Sequence, residues 1–128
     1  MSDEKDWTSL NMKEQTDYDL MYYEVLDIID DGLYDLEYDK SDCHDLHERM
    51  KYDKAILRLK KKRRLVVAKR VKRELYSINP PDGTKLQEAE QIHLKMEMAI
   101  NEDRSIKSIV GIATMALKLF NSVQALPA

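Results

Sequence analysis

The chain carries one cysteine, Cys43, and so cannot close a disulfide on itself. It is also poor in residues that break helices and turn hairpins, with three Gly and three Pro in 128 residues, whereas Leu, Met, Ile, Lys, Glu and Asp are plentiful. That balance argues against a hairpin-rich β fold and predicts an all-α protein. The glycines, Gly32, Gly83 and Gly111, lie too far apart for a G-x-G-x-x-G fingerprint or a P-loop, which need clustered glycines to bring backbone N–H groups onto phosphate. The opening residues, MSDEKDWTSL, lack the basic, apolar and cleavage regions of a secretory leader, and with the lone thiol this predicts a reducing, cytoplasmic location. The most apolar stretch, Ser105 to Leu126, is interrupted by Lys107 and Lys118, so no membrane association is expected. At this length a single domain, residues 1–128, is the natural unit.

What is present is charge, and it is segregated. Residues 1–48 hold sixteen of the 24 acids and three basic residues, a net of −13. Residues 49–73 hold thirteen of the 21 Lys and Arg and one acid, a net of +12, and residues 74–128 contribute −2. The overall −3 therefore hides a strong internal polarity. Opposed blocks of this size either neutralise each other inside one fold or present separate charged faces to partners, and the sequence leaves both open.

Residues 1–15 are polar apart from Trp7, Leu10 and Met12 and are expected to be mobile unless those side chains dock. Thr16 is placed to cap a helix in which Tyr18, Met21, Tyr22, Val25, Ile28 and Ile29 recur at helical spacing, and Gly32 is expected to end it. After a connection from Leu33 to Lys40, Ser41 or Asp42 can cap a second, basic helix that lacks Gly and Pro as far as Ile78, with a bend expected at Lys60 to Arg64. Residues 16–78 thus form a helical hairpin. Asn79-Pro80-Pro81-Asp82-Gly83 is a stop and turn, because Pro lacks an amide donor and its ring restricts the residue before it. Thr84 and Gln87 read as a capping box opening a third helix with Leu86, Ala89, Ile92, Met96, Ala99 and Ile100 inward, and a break at Asn101 to Ser105 precedes an apolar last helix reaching Leu126. The expected architecture is a bundle of about four helices, one long and basic, with residues 84–126 as a C-terminal helix pair. The last helix is apolar nearly all round. It either lies centrally or is shared between subunits, and a homodimer through it is one expectation.

Three surfaces carry candidate chemistry, each of which can also be plain solvation. On the first helix Asp17, Glu24, Asp27 and Asp31 line one side, and a dense acidic face mimics a phosphate backbone; Tyr22, Tyr23, Glu24, Asp27 and Asp31 are the expected protein-binding face, with Tyr34 and Tyr38 as further anchors. On the second helix Lys61, Lys62, Arg64, Lys69 and Arg73 can engage phosphates. Only Tyr52 and Tyr76 flank them, so nucleic acid would be held without base readout. Glu24-x-x-Asp27 followed by Asp42-x-x-Asp45 resembles the paired acidic motifs of all-α nucleotide pyrophosphohydrolases, in which carboxylates on adjacent helices hold Mg²⁺; Asp stands at three of these four places, where that family favours Glu. Cys43 with His47, and His44 with Glu48, lie one turn apart but would give a metal two ligands where structural zinc wants four, and His93 would have to arrive from the third helix. No catalytic residue, metal or cofactor is implied, and a non-enzymatic protein is expected.

From Tyr18 to Pro81, about half of the chain, the sequence also resembles the helical hairpin of small uncharacterised proteins from bacteriophages of low-GC Gram-positive bacteria. There an acidic, aromatic-bearing first helix is joined through a D-x-x-x-L cap, here Asp42 and Leu46, to a second helix with a Lys-Arg-Arg run and a later Lys, here Lys62-Arg63-Arg64 and Lys69. The resemblance implies a phage accessory product of the host-takeover or anti-defence kind.

Overall fold

A computed structural model of the chain describes residues 5–103 and 105–125; residues 1–4 of the polar terminus, residue 104, and residues 126–128, including Leu126 of the expected last helix, lie outside it. The protein is an all-α helical bundle of four helices, α1 (Met12–Ser41), α2 (Leu46–Val71), α3 (Gly83–Met98) and α4 (Ile106–Val123). α1 and α4 each pack against all three other helices, while α2 and α3 flank them.

The caps sit earlier or later than the sequence suggested. α1 begins at Asn11, not Thr16: the Asn11 side chain accepts the Glu14 N–H at 2.8 Å and the Glu14 carboxylate accepts the Asn11 N–H at 3.0 Å, satisfying two otherwise orphaned donors reciprocally. α2 is capped by Asp45, which accepts the Glu48 N–H at 2.9 Å, instead of by Ser41 or Asp42, and it runs unbroken through Lys60 to Arg64. Asp82, not Thr84, caps α3 by accepting the Lys85 N–H at 2.9 Å. A π-helical turn, Ala99–Asp103, then leads to the Ser105 cap of α4.

Gly32 does not end α1. It lies inside the helix, where a Cβ would come within 2.8 Å of Met96 Cε, 2.9 Å of Ile109 Cγ2 and 3.2 Å of Leu59 Cδ2. One side chain from each of the other helices thus converges on this spot. The absence of a side chain permits the convergence, and the resulting packing outweighs the roughly 1 kcal/mol by which Gly disfavours a helix interior relative to Ala. The segment Leu33 to Lys40 is therefore helix, not connection, and adds Leu36 to the core formed by Tyr18, Met21, Val25, Ile28 and Ile29.

α2 also stops before Ile78. Arg73–Leu75 forms a 3₁₀ turn, after which Ser77–Ile78 (β1) pairs antiparallel with Gln124–Ala125 (β2). Lys5 takes the free edge of Ile78, exchanging two backbone hydrogen bonds of 2.7 Å. Trp7 stands edge-on to Tyr18 at 5.1 Å and Leu10 is buried, so residues 5–11 are tied to the bundle by backbone and side chain alike. Ile78 ends fully buried in extended backbone, whereas Val71 and Leu75, at helical spacing before it, are exposed.

α4 buries Ile109, Ala113, Ala116, Leu119, Phe120 and Val123 against the other helices. Its outer surface carries Lys107, Gly111, Met115 and Lys118. Among the described helices it is the one long and apolar enough to cross a membrane by length and composition, but three helices pack on it. The inner face of α4 is thus buried within the subunit, while Met115 on its outer side stays exposed.

Gly32→Val is expected to lower the free energy of unfolding in urea by about 2–4 kcal/mol, because the branched side chain overpacks the convergence point. Gly111→Ala, with nothing within 4 Å of its Cβ, is expected to raise it by about 0.5–1 kcal/mol through helix propensity.

Candidate functional site

The charged blocks meet along the antiparallel α1–α2 contact. Arg70 pairs with Asp19, Arg63 with Asp30 at 2.7 Å, Lys60 with Glu37 at 3.9 Å, and Lys40 with Asp53 at 2.5 Å. Arg70 also lies over the rings of Tyr22 and Tyr23, 4.7 and 5.5 Å from their centroids, so its guanidinium is held by a carboxylate on one side and aromatic faces on the other. Opposed charge is therefore partly neutralised within the subunit.

The expected nucleic-acid set, Lys61, Lys62, Arg64, Lys69 and Arg73, is divided by this packing. Lys69 donates to Asn121 Oδ1 at 2.6 Å and to the Gln124 carbonyl at 2.8 Å, and burial holds its amine below the ordinary lysine value. The fully buried Gln124 side chain completes a latch, donating to the Lys69 carbonyl at 2.6 Å and accepting the Tyr18 hydroxyl at 2.5 Å. Arg73 lies 4.7 Å over Trp7 and donates to the Arg70 carbonyl. Lys69 and Arg73 thus fasten the chain ends to α2, whereas Lys61, Lys62 and Arg64 make no ion pair or hydrogen bond among the described residues.

The acidic side of α1 is divided in the same way. Asp17, Glu24 and Asp31 line one side, as their spacing requires, but α3 covers that side: His93 Nδ1 lies 2.5 Å from Glu24 Oε1 and His93 Nε2 lies 2.8 Å from Asp31 Oδ2. A neutral imidazole has one N–H, and carboxylates only accept, so this clamp requires the doubly protonated ring. Burial opposes that charge, but the hydrogen bonds to Asp31 and Glu24 outweigh it and hold the His93 pKa above its ordinary value. Tyr22 is buried, packed edge-on to Tyr23 and tilted against Phe120. Of the expected protein-binding residues, then, Tyr22 belongs to the core and Glu24 and Asp31 to the clamp, while Tyr23 and Asp27 face solvent.

Because α1 continues past Gly32, the two solvent-facing residues belong to a longer stripe. Leu20, Tyr23, Asp27, Tyr34 and Tyr38 fall within a narrow arc of the helix, and the four apolar members are 54–73% exposed. Tyr34 and Tyr38 also edge a cavity of about 400 Å³ completed by Asp31, the buried Asp35 and Ile100. Reading the helix as ended at Gly32 hid this alignment, and the seven- and four-residue spacings 20–27–34–38 were the signal that could have revealed it.

The carboxylates of the hydrolase resemblance do not meet. Asp42 is the C-cap of α1 and Asp45 caps α2, so Asp42 lies about 27 Å along the axis from Glu24 at 1.5 Å per residue. Cys43 and His47 stand at that same end of the hairpin, while His93 is engaged by Glu24 and Asp31 mid-bundle and does not join them. No group of three His, Cys, Asp or Glu side chains is placed to hold a metal ion among the described residues. Compared with known proteins, the chain matches no family model, no curated protein and no solved structure.

The His93 clamp gives stability a defined pH dependence. Since the folded-state pKa lies above the unfolded one, its contribution is complete below about pH 6.5 and is lost as pH rises through the folded value. Unfolding free energy measured in urea is expected to decline from about pH 6.5 upward by a component that His93→Gln removes, and that variant is expected to cost about 1 kcal/mol at pH 6 after discounting for solvent-exposed partners.

Proposed function

We propose that this protein is a non-enzymatic helical interaction factor of the phage accessory kind, acting in the cytoplasm in anti-defence or host takeover by binding and modulating a protein partner through the outward face of α1. The observation that carries this reading is the stripe Leu20, Tyr23, Asp27, Tyr34 and Tyr38: large aromatic side chains held on a rigid 30-residue helix, well exposed, with an acid among them and a cavity beside them. Tyrosine offers wide contact area with little conformational freedom to lose, and aromatic anchors dominate binding energy where they enter a partner's pockets. The surrounding acids steer the face toward basic surfaces, including those that nucleic-acid-handling proteins use for phosphate. The separation of Asp42 and Asp45 from Glu24 and Asp27 weighs against the pyrophosphohydrolase reading of those four carboxylates.

Direct nucleic-acid binding is the second reading, favoured by Lys61, Lys62 and Arg64 on α2, which have no partner among the described residues. It has fewer phosphate contacts to draw on than the sequence implied, because Lys69 and Arg73 are already engaged.

Capture from a bacterial lysate with tagged protein, run with and without nuclease, separates the two. A discrete protein retained after nuclease, and lost at least about tenfold in Tyr34→Ala/Asp27→Lys, is the expected outcome. Capture that disappears with nuclease, and in Lys61→Glu/Lys62→Glu/Arg64→Glu, would replace this reading with the second.

A further inference from the structure

Ten of the fourteen large apolar side chains exposed among the described residues lie on α1 and α2, so the unpartnered apolar surface is concentrated on the hairpin. Each helix carries part of it as an outward seam at seven-residue intervals, the repeat with which helices meet across a coiled-coil contact. On α1 the seam is Leu20, Asp27 and Tyr34; on α2 it is Met50, Leu57, Arg64 and Val71. Each contains one charged residue, the two are of opposite sign, and neither Asp27 nor Arg64 has a partner among the described residues.

We infer that the hairpin face binds a second copy of this chain, in an isologous dimer that sets α1 of each subunit against α2 of the other. The inference rests on the premise that the α1 stripe is a contact surface, as in the proposed function, and assigns its occupant in the free protein. A two-fold axis parallel to the helices carries α1 of the second copy over α2 of the first while preserving its height along the bundle. That height is known from the subunit itself, where Gly32 lies against Leu59 and long side chains pair Asp19 with Arg70 and Asp30 with Arg63. Asp27 lies between the two acids, so in the dimer it falls beside Arg64 of the second copy, and Tyr34 falls beside its Leu57. Symmetry forms both contacts twice. The facing helices run antiparallel, with their dipoles opposed as in the α1–α2 contact of a single subunit. The face satisfies itself because the acidic and basic helices each supply what the other lacks.

Sedimentation velocity of the full chain at low salt, from about 2 to 200 µM, tests the assembly at the affinities expected of an interface with two symmetry-related charge pairs. A doubled mass is expected. Leu57→Asp, at a position 62% exposed and so tolerated by the fold, is expected to leave a monomer. Asp27→Arg and Arg64→Asp are each expected to weaken association about 100-fold, and the combined swap to restore it to within about fivefold. A monomer across the whole range, a dimer that survives Leu57→Asp, or a swap that fails to restore association would each overturn the inference. Capture of a lysate protein by the Leu57→Asp variant, whose α1 is intact, judges the proposed function separately: loss of the dimer with retained capture, or the reverse, identifies which of the two is wrong.

Discussion

The pairing of α1 with α2 is the constraint on which the rest of the bundle depends. Neither helix can stand alone against its own charge, with acids crowded on one and cations on the other. Each surface ion pair contributes at most about 1 kcal/mol, so their number does not account for stability. Their effect is to select register. Arg70, Arg63 and Lys60 meet Asp19, Asp30 and Glu37 in order along an antiparallel contact, and a slip of one turn would move Asp30 from Arg63 to Leu59 or Val67. Arg70 strengthens the selection because its guanidinium also lies against Tyr22 and Tyr23, a geometry that a lysine could not reproduce.

From that register two further arrangements follow. Gly32 comes level with Leu59, Met96 and Ile109, so that all four helices close at one height. The far end of α2 comes level with the chain ends, where Lys69, Gln124 and Tyr18 lock β2 to α2 and Ile78 joins Lys5 to the small sheet. Glu24 and Asp31, which α2 does not reach, are taken up on the other flank by His93. α1 is thus matched on both sides by cations of different kinds, permanent on α2 and titratable on α3. What remains of its circumference is the solvent-facing stripe of Leu20, Tyr23, Asp27, Tyr34 and Tyr38.

The core faces were legible from periodicity. Tyr18, Met21, Val25, Ile28 and Ile29 of α1 and Ala89, Ile92 and Met96 of α3 are buried as their spacing requires, because a packed helix must hide one stripe whatever its partners are. Element ends were less legible. Gly32 looks like a stop by local propensity, and only the approach of three side chains from other helices explains why the helix continues. Ile78 continues a helical pattern, yet its backbone pairs with Lys5 and lies beside Gln124, residues far from it in sequence. The candidate faces suffered from the same limitation. Tyr22, Glu24 and Asp31 share a helix with Tyr23 and Asp27 but are claimed by the core and by His93, and nothing local distinguishes an acid awaiting a partner from one that has found it inside the fold.

The amino-acid sequence by itself determined the all-α class, the four-helix pattern, the Pro-Pro turn and the segregation of charge, since these depend on propensity, periodicity and composition within short windows of chain. Tertiary structure alone decided which charges cancel and which face solvent, that α1 passes through Gly32 as one helix, and which side of the C-terminal helix packs against the other three. Those outcomes depend on distances between residues tens of positions apart. Such distances exist only once the helices have packed.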